Sequence, residues 1–169
     1  MDSPTVLVAI GLGANLGDRE RRLADAVRAL RGLLTAVRVG RLYESAAVGG
    51  PAQPPYLNSA LVGRTRLAPE PLLAVLKFLE RQAGRRRGER WGPRPLDLDL
   101  LLHGDTIRDS PELVLPHPRL RRRAFVLAPL ADAAPELSLP PDGAPVRSLL
   151  AALAGARELV PRPWAEGAP

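Results

Sequence analysis

Apolar positions mark the elements along this chain. Thr5 to Ile10 is a run rich in Val and Ile that predicts a first strand, closed by the turn Gly11-Leu12-Gly13-Ala14-Asn15-Leu16-Gly17-Asp18. Leu23, Val27, Leu30 and Leu34 then recur at helical spacing and give a first helix one apolar face. Asp18 and Glu20 stand near its start, where the helix dipole favours negative charge. Val37 to Tyr43 predicts a second strand. Gly49-Gly50-Pro51-Ala52-Gln53-Pro54-Pro55 is too rich in Gly and Pro for regular structure and predicts a loop. Tyr56 to Arg66 reads as a third strand. Pro69 opens a second helix, with Leu72, Val75, Leu76 and Leu79 on one face and Gly84 as its stop. Arg85 to Pro95 is a polar, basic loop, and Leu96 to Leu102 is a fourth strand. Pro111 to Arg123 is irregular. Ala124 to Leu130 reads as a short helix or strand, and a last helix is expected around Val146 to Ala156.

The order strand–helix–strand–strand–helix–strand predicts an α+β fold with a ferredoxin-like βαββαβ core. Two helices pack on one face of an antiparallel sheet, and the other face is left for a ligand or for the extra C-terminal segments. Residues 1–160 are expected to form a single domain, with 161–169 a frayed tail. The length of 169 residues suits that reading, and 46% apolar with 25% charged residues is the mix of a globular protein. Fifteen glycines and nineteen prolines stay below the level of a low-complexity chain. With no cysteine there is no disulfide framework, thiolate metal site or thiol nucleophile. No apolar stretch is long enough to span a membrane, and Met1 to Leu12 lacks the pattern of a signal peptide. The expectation is a cytoplasmic protein and a monomer.

Charge narrows the chemistry. There are 24 Lys and Arg against 18 Asp and Glu, a net +6, and Lys77 is the single lysine. Arginine presents a planar fork suited to phosphate and carboxylate. On charge alone, nucleotides, nucleic acid and anionic membranes are all open as partners, as is a codon-composition effect without function. The most informative stretch is Leu96-Asp97-Leu98-Asp99-Leu100-Leu101-Leu102. Strand alternation puts Asp97 and Asp99 on one face, with Leu96, Leu98, Leu100 and Leu102 on the other. Two carboxylates projecting together are suited to Mg²⁺, which is commonly held by one or two carboxylates plus substrate phosphates. A solvated acidic face is the ordinary alternative. The neighbourhood favours the metal: Arg85, Arg86, Arg87, Arg90 and Arg94, with Trp91 among them, equip the same region for a polyphosphate.

Glu89-Arg90-Trp91-Gly92-Pro93-Arg94-Pro95-Leu96-Asp97-Leu98-Asp99 resembles the signature of the 6-hydroxymethyl-7,8-dihydropterin pyrophosphokinase family of folate biosynthesis. Four further blocks resemble that family in order. They are the Gly11 to Asp18 turn, Gln53-Pro54-Pro55-Tyr56-Leu57-Asn58-Ser59-Ala60, Glu80 to Arg87, and Leu115-Pro116-His117-Pro118 through Arg123-Ala124-Phe125. Together they cover about residues 5 to 137. The resemblance implies transfer of pyrophosphate from ATP to a pterin alcohol, with AMP released. It implies that Asp97 and Asp99 hold two Mg²⁺ ions and that Arg85 and Arg94 act in catalysis. It assigns Glu80, Arg85, Arg87, Arg94, Leu100, Leu113, His117, Arg121 and Arg123 to ATP, Leu100 and Leu113 as adenine walls. It assigns Ser45, Val48, Tyr56, Asn58, Trp91, Asp97 and Phe125 to the pterin, with Tyr56 and Phe125 sandwiching the ring and Asn58 reading its edge. Three consecutive arginines leave the register of Arg85 and Arg87 ambiguous.

The sequence departs from the family pattern at Ala14, Ala46-Ala47, Pro95 and Pro118, none of them a metal ligand. The competing reading is an Arg-rich nucleic-acid-binding module on the same fold. It lacks the aromatic run of RNA-recognition strands, and an Asp pair repels phosphate unless a metal intervenes. Neither nucleic acid nor membrane is therefore expected as a partner. The G-x-x-x-x-G-K-S/T motif is absent, and Gly11, Gly13 and Gly17 do not have dinucleotide-fingerprint spacing.

Overall fold

A computed structural model describes residues 4–84 and 92–169. The first strand, β1 (Val6–Ala14), runs past the expected turn: Gly11 to Ala14 stay paired with β4 (Tyr56–Thr65) on one side, and Gly11 to Gly13 with β5 (Asp97–His103) on the other. Only then does the chain turn into α1 (Arg19–Arg31), where the Asp18 carboxylate caps the helix by accepting from the Arg21 N–H. The helix stops at Arg31, so Leu34 lies beyond it. Leu34 is nevertheless buried, in the core against Gly63.

The expected second strand is two, β2 (Thr35–Val39) and β3 (Leu42–Ser45), interrupted at Gly40 and Arg41. The break has a steric cause. A β-carbon on Gly40 would sit 2.0 Å from the Pro129 carbonyl oxygen of α3 (Ala124–Ala133), so the backbones meet there. α2 (Pro69–Gln82) begins with proline in its first turn and ends just before Gly84, which takes φ +91°.

The sheet runs β3–β4–β1–β5, with β2 also paired to β4 and all these neighbours antiparallel. α1 and α2 bury Leu23, Val27, Leu30, Leu72 and Leu76 against Val8, Ile10 and Leu98 on one face. The opposite face is covered along much of its length by α3 and α4 (Val146–Ala152), through Leu127, Leu130 and Val146 on Ala9, Ala60 and Val62. α3 settles the ambiguity of Ala124 to Leu130 in favour of a helix.

One expectation for β5 is corrected. A bulge between Ala9 and Ile10 in the β1 register leaves Leu101 as the extra residue. The alternation shifts by one there, and Leu102 joins Leu101 in the core beside α3 while Leu96, Leu98 and Leu100 stay with α1 and α2. The tail is also corrected. Pro161–Arg162 pair with Tyr43 and Leu42 of β3, the Trp164 indole donates to the Gly40 carbonyl at 2.9 Å, and Arg162 pairs with Glu20. The exposed edge of β3 and the carbonyl of the strand break give the tail its partners.

Candidate active site

A cavity of about 360 Å³ opens where β1, β4 and β5 end near residues 46–48, Gln53 and the 117–126 segment. Its floor is made by an absence of side chains. Gly13 lies opposite Asp97 and Gly11 opposite Asp99 in the β1–β5 register, so the two carboxylates rise beside bare backbone. The glycines read as a turn in the sequence do this from within a strand.

The acidic wall carries Asp97, Asp99, Arg94, His117, Arg119 and Arg123. Arg94 donates to Asp97 at 3.0 Å. Burial, then the neighbouring Asp97 charge, pushes the Asp99 carboxyl up to about 6, against the pull of Lys77, Arg123 and Arg94. The strand places two acids side by side, and the donors are hard oxygens. This donor set fits a divalent cation such as Mg²⁺ whose other ligands come from phosphate. Among the described residues no third His, Cys, Asp or Glu completes a cluster.

His117 is held by its backbone N–H to the Leu101 carbonyl at 2.9 Å, and its Nδ1 accepts from the Arg119 N–H at 3.2 Å. That bond assigns the ring proton to Nε2, 4.0 Å from Asp99. Burial and the Arg123 and Arg119 charges hold its pKa down at about 4, so the imidazole is neutral at pH 7. Arg123 is likewise shifted down, first by burial and then by Arg119, and its guanidinium lies 5.6 Å from the Phe125 ring centre.

The cavity is also lined by Tyr56, Phe125, Ala46, Ala47 and Val48, with Ser45 and Asn58 among them. Asn58 Nδ2 donates to the Tyr43 carbonyl at 3.0 Å and to Ser45 Oγ at 2.9 Å. Both amide hydrogens are thus committed, and the acceptor oxygen is the group Asn58 presents, on the side of Gly13.

Not every candidate gathers here. Arg85, Arg87 and Trp91 lie outside the described residues. Arg121 is turned away: it pairs with Asp142 at 2.6 Å and donates to the Leu139 and Pro140 carbonyls, anchoring the turn between two short C-terminal strands. Leu100 and Leu113 belong to the core under α1 and α2 and do not line the cavity, because β5 alternation puts Leu100 on the face away from the aspartates. Glu80 is 1% exposed and accepts the Leu98 N–H at 2.8 Å while pairing with Lys77. It pins α2 to the strand segment between the two aspartates.

Two residues were missed. Arg119 lines the cavity where Arg121 was expected; five closely spaced basic and apolar residues, 119–123, do not reveal which arginine faces inward. Asn15 is 1% exposed and joins three segments, donating to Gln53 Oε1 at 2.7 Å and the Pro54 carbonyl, and accepting the Arg94 N–H at 2.8 Å. Its signal was a polar residue inside the first glycine-bearing block.

Residues 9–135 match the family model of 7,8-dihydro-6-hydroxymethylpterin-pyrophosphokinase. The chain is 44% identical over 147 residues to the 2-amino-4-hydroxy-6-hydroxymethyldihydropteridine pyrophosphokinase of Pseudomonas aeruginosa, covering 86% of this chain and 90% of that one. It is 48% identical over 126 residues to a mitochondrial folate synthesis bifunctional protein of Arabidopsis thaliana, covering 74% of this chain but only 23% of that protein. A solved structure of Plasmodium falciparum HPPK-DHPS with pterin and p-hydroxybenzoate shares the fold at TM-score 0.67 and 15% identity, over 88% of this chain and 42% of that one. No helix among the described residues is long and apolar enough to cross a membrane. On the family match and the near-full-length bacterial relative, the chain belongs to the 7,8-dihydro-6-hydroxymethylpterin-pyrophosphokinase family.

Proposed function

We propose that this chain transfers the terminal pyrophosphate of ATP to the hydroxymethyl group of 6-hydroxymethyl-7,8-dihydropterin in folate biosynthesis. The observation that carries the reading is one cavity lined both by a carboxylate pair among arginines and by the Tyr56 and Phe125 rings with a fixed amide. The pterin ring fits between Tyr56 and Phe125, with the Asn58 oxygen accepting from a ring-edge N–H. Ser45 and Val48 close the slot at its rim.

The alcohol oxygen attacks the β-phosphorus of ATP. Its bond to that phosphorus forms, the bond to the oxygen bridging the α- and β-phosphorus breaks, AMP leaves, and the hydroxyl proton is lost. Such a transfer depends on positioning and on charge neutralisation more than on covalent help. Asp97 and Asp99 would hold two Mg²⁺, which supply that neutralisation at the phosphate oxygens. Arg94, Arg119 and Arg123 border the phosphate side, and Arg85 and Arg87 are assigned there too. His117, neutral with its proton on Nε2, donates a hydrogen bond without adding charge. Asp97, next to both the metal side and the slot, is placed to orient the hydroxyl.

The test is product analysis. The protein is mixed with Mg·ATP, with and without the pterin alcohol, and AMP and ADP are measured, with Asp97→Ala alongside. Pterin-dependent AMP, lost in the variant and without Mg²⁺, is the expected result. ADP in its place means a single phosphate moves, and the reading fails.

A further inference from the structure

The Asn58 amide is aimed by β3. Its Nδ2 hydrogens go to the Tyr43 carbonyl at 3.0 Å and to Ser45 Oγ at 2.9 Å, so the position of β3 sets the position of the Asn58 oxygen. β3 is four residues long, follows the break at Gly40 and leads into the cavity residues 46–48. Three cross-strand pairs join it to β4: Tyr43 with Asn58, Glu44 with Leu57 and Ser45 with Tyr56. The tail lies along its outer edge. Its tie to the layer above the sheet is Asp132, in the last turn of α3. Asp132 Oδ2 accepts from the Tyr43 hydroxyl at 2.8 Å, from the Arg41 N–H at 3.1 Å and from Arg41 Nε at 3.2 Å. Its Oδ1 accepts from Arg41 Nη2 at 2.7 Å.

Asp132 does not line the cavity, but the helix that carries it does. Phe125 and Val126, in the first turn of α3, are cavity residues. Asp132 stands about 10 Å further along the same helix, at about 1.5 Å per residue. One rigid element therefore joins two parts of one site: the Phe125 ring at its start and, through Asp132 and Tyr43, the Asn58 amide at its end. Tyr43 and Asn58 are directly opposite in the strand register, so their side chains share a face. Burial, then the bond to Asp132, pushes the Tyr43 hydroxyl up to about 12, and it stays a donor at neutral pH. A satisfied polar network of this kind specifies one arrangement, where apolar contact alone tolerates several. We propose that Asp132 is a positioning residue for the ring site: it holds β3 against α3 and so sets the Asn58 amide relative to the Phe125 ring. The inference rests on the reading that Asn58 and Phe125 take the pterin.

Two variants test it. Asp132→Ala removes all four bonds, and Asp132→Asn keeps a carbonyl oxygen for Tyr43 and Arg41. For D132A, assayed well below its own melting temperature, KM for the pterin alcohol is expected to rise about 10-fold, the scale of a small misplacement. KM for ATP is expected to stay at the parent value, because the carboxylate pair stands on β5, away from β3. D132N is expected to restore most of the pterin KM. If D132A does not fold, Tyr43→Phe replaces it: the ring stays, one hydroxyl goes, and a smaller rise in the pterin KM alone is expected. A parental pterin KM in the folded variant, an equal rise in both KM values, or D132N as impaired as D132A overturns the proposal. NMR of the Asn58 side-chain amide supplies a readout independent of catalysis. Its two proton signals are expected to move and to exchange faster in D132A, and to match the parent in D132N. If the parent itself forms no pterin-dependent AMP, the functional reading fails, and these signals alone decide: unchanged in D132A they overturn the positioning role, moved they support it.

Discussion

Replacing Asp99 by Asn is expected to make the metal-free protein more stable and the enzyme inactive. Asp99 sits beside Asp97 in a partly desolvated wall, and its carboxyl is raised from 3.8 to about 6, burial being the first cause and Asp97 the second. The folded protein therefore binds a proton more tightly than the unfolded chain. Linkage fixes the sign: stability from this group is full below about pH 4 and is lost as pH rises through about 6. Above pH 6 the ionised carboxylate works against the fold. The shift corresponds to about 3 kcal/mol at about 1.4 kcal/mol per unit. The Asp99 side chain is 33% exposed, so solvent screening reduces this to about 1–2 kcal/mol. For a chain of this size that is about 3–6 °C in melting temperature. The assay is thermal unfolding of parent and D99N in chelator from pH 4 to pH 8, beside AMP formation with Mg²⁺. The gain of D99N over the parent should be least near pH 4, grow through pH 6 and level off by pH 7. A flat difference, or a D99N protein less stable than the parent at pH 8, refutes the claim that two crowded carboxylates are stored there for a cation.

Three further outcomes follow from the geometry. Gly40→Ala should cost about 3 kcal/mol or more by overpacking against the Pro129 carbonyl, read as a large fall in melting temperature; a fall of less than 2 °C would mean that α3 yields easily. Glu80→Ala leaves the buried Leu98 N–H unpaired and should cost about 1–3 kcal/mol, whereas Glu80→Gln keeps an acceptor and should cost less; denaturant unfolding of both separates hydrogen bond from charge. Ending the chain at residue 160 uncovers the β3 edge and removes the Trp164 bond to Gly40; it should lower stability by about 1–2 kcal/mol while pterin-dependent AMP formation persists, since the removed residues do not line the cavity.

Much of the site was legible because its chemistry is written in consecutive residues. Asp97 and Asp99 share a face by strand periodicity alone, and they do so in the structure. Tyr56 and Asn58, two apart on β4, line the cavity together for the same reason. Arg121 and Arg119 were interchanged because both lie in one basic run whose 3₁₀ turn, Leu120–Arg122, decides the outward direction. Glu80 was assigned to nucleotide from a motif, but the packing of α2 on β5 turns its carboxylate onto the Leu98 amide.

By itself, the sequence determined the order of elements, the core faces of α1 and α2, the Gly84 stop and the paired carboxylates. Each is a matter of period, turn chemistry or charge among near neighbours. Only the tertiary structure decided the bulge that moves Leu102, the break at Gly40, the docking of the tail on β3 and the Asn15 and Arg22 contacts to Arg94 and Ala83. These depend on how closely segments about 60 to 120 residues apart approach, and no local pattern carries that distance.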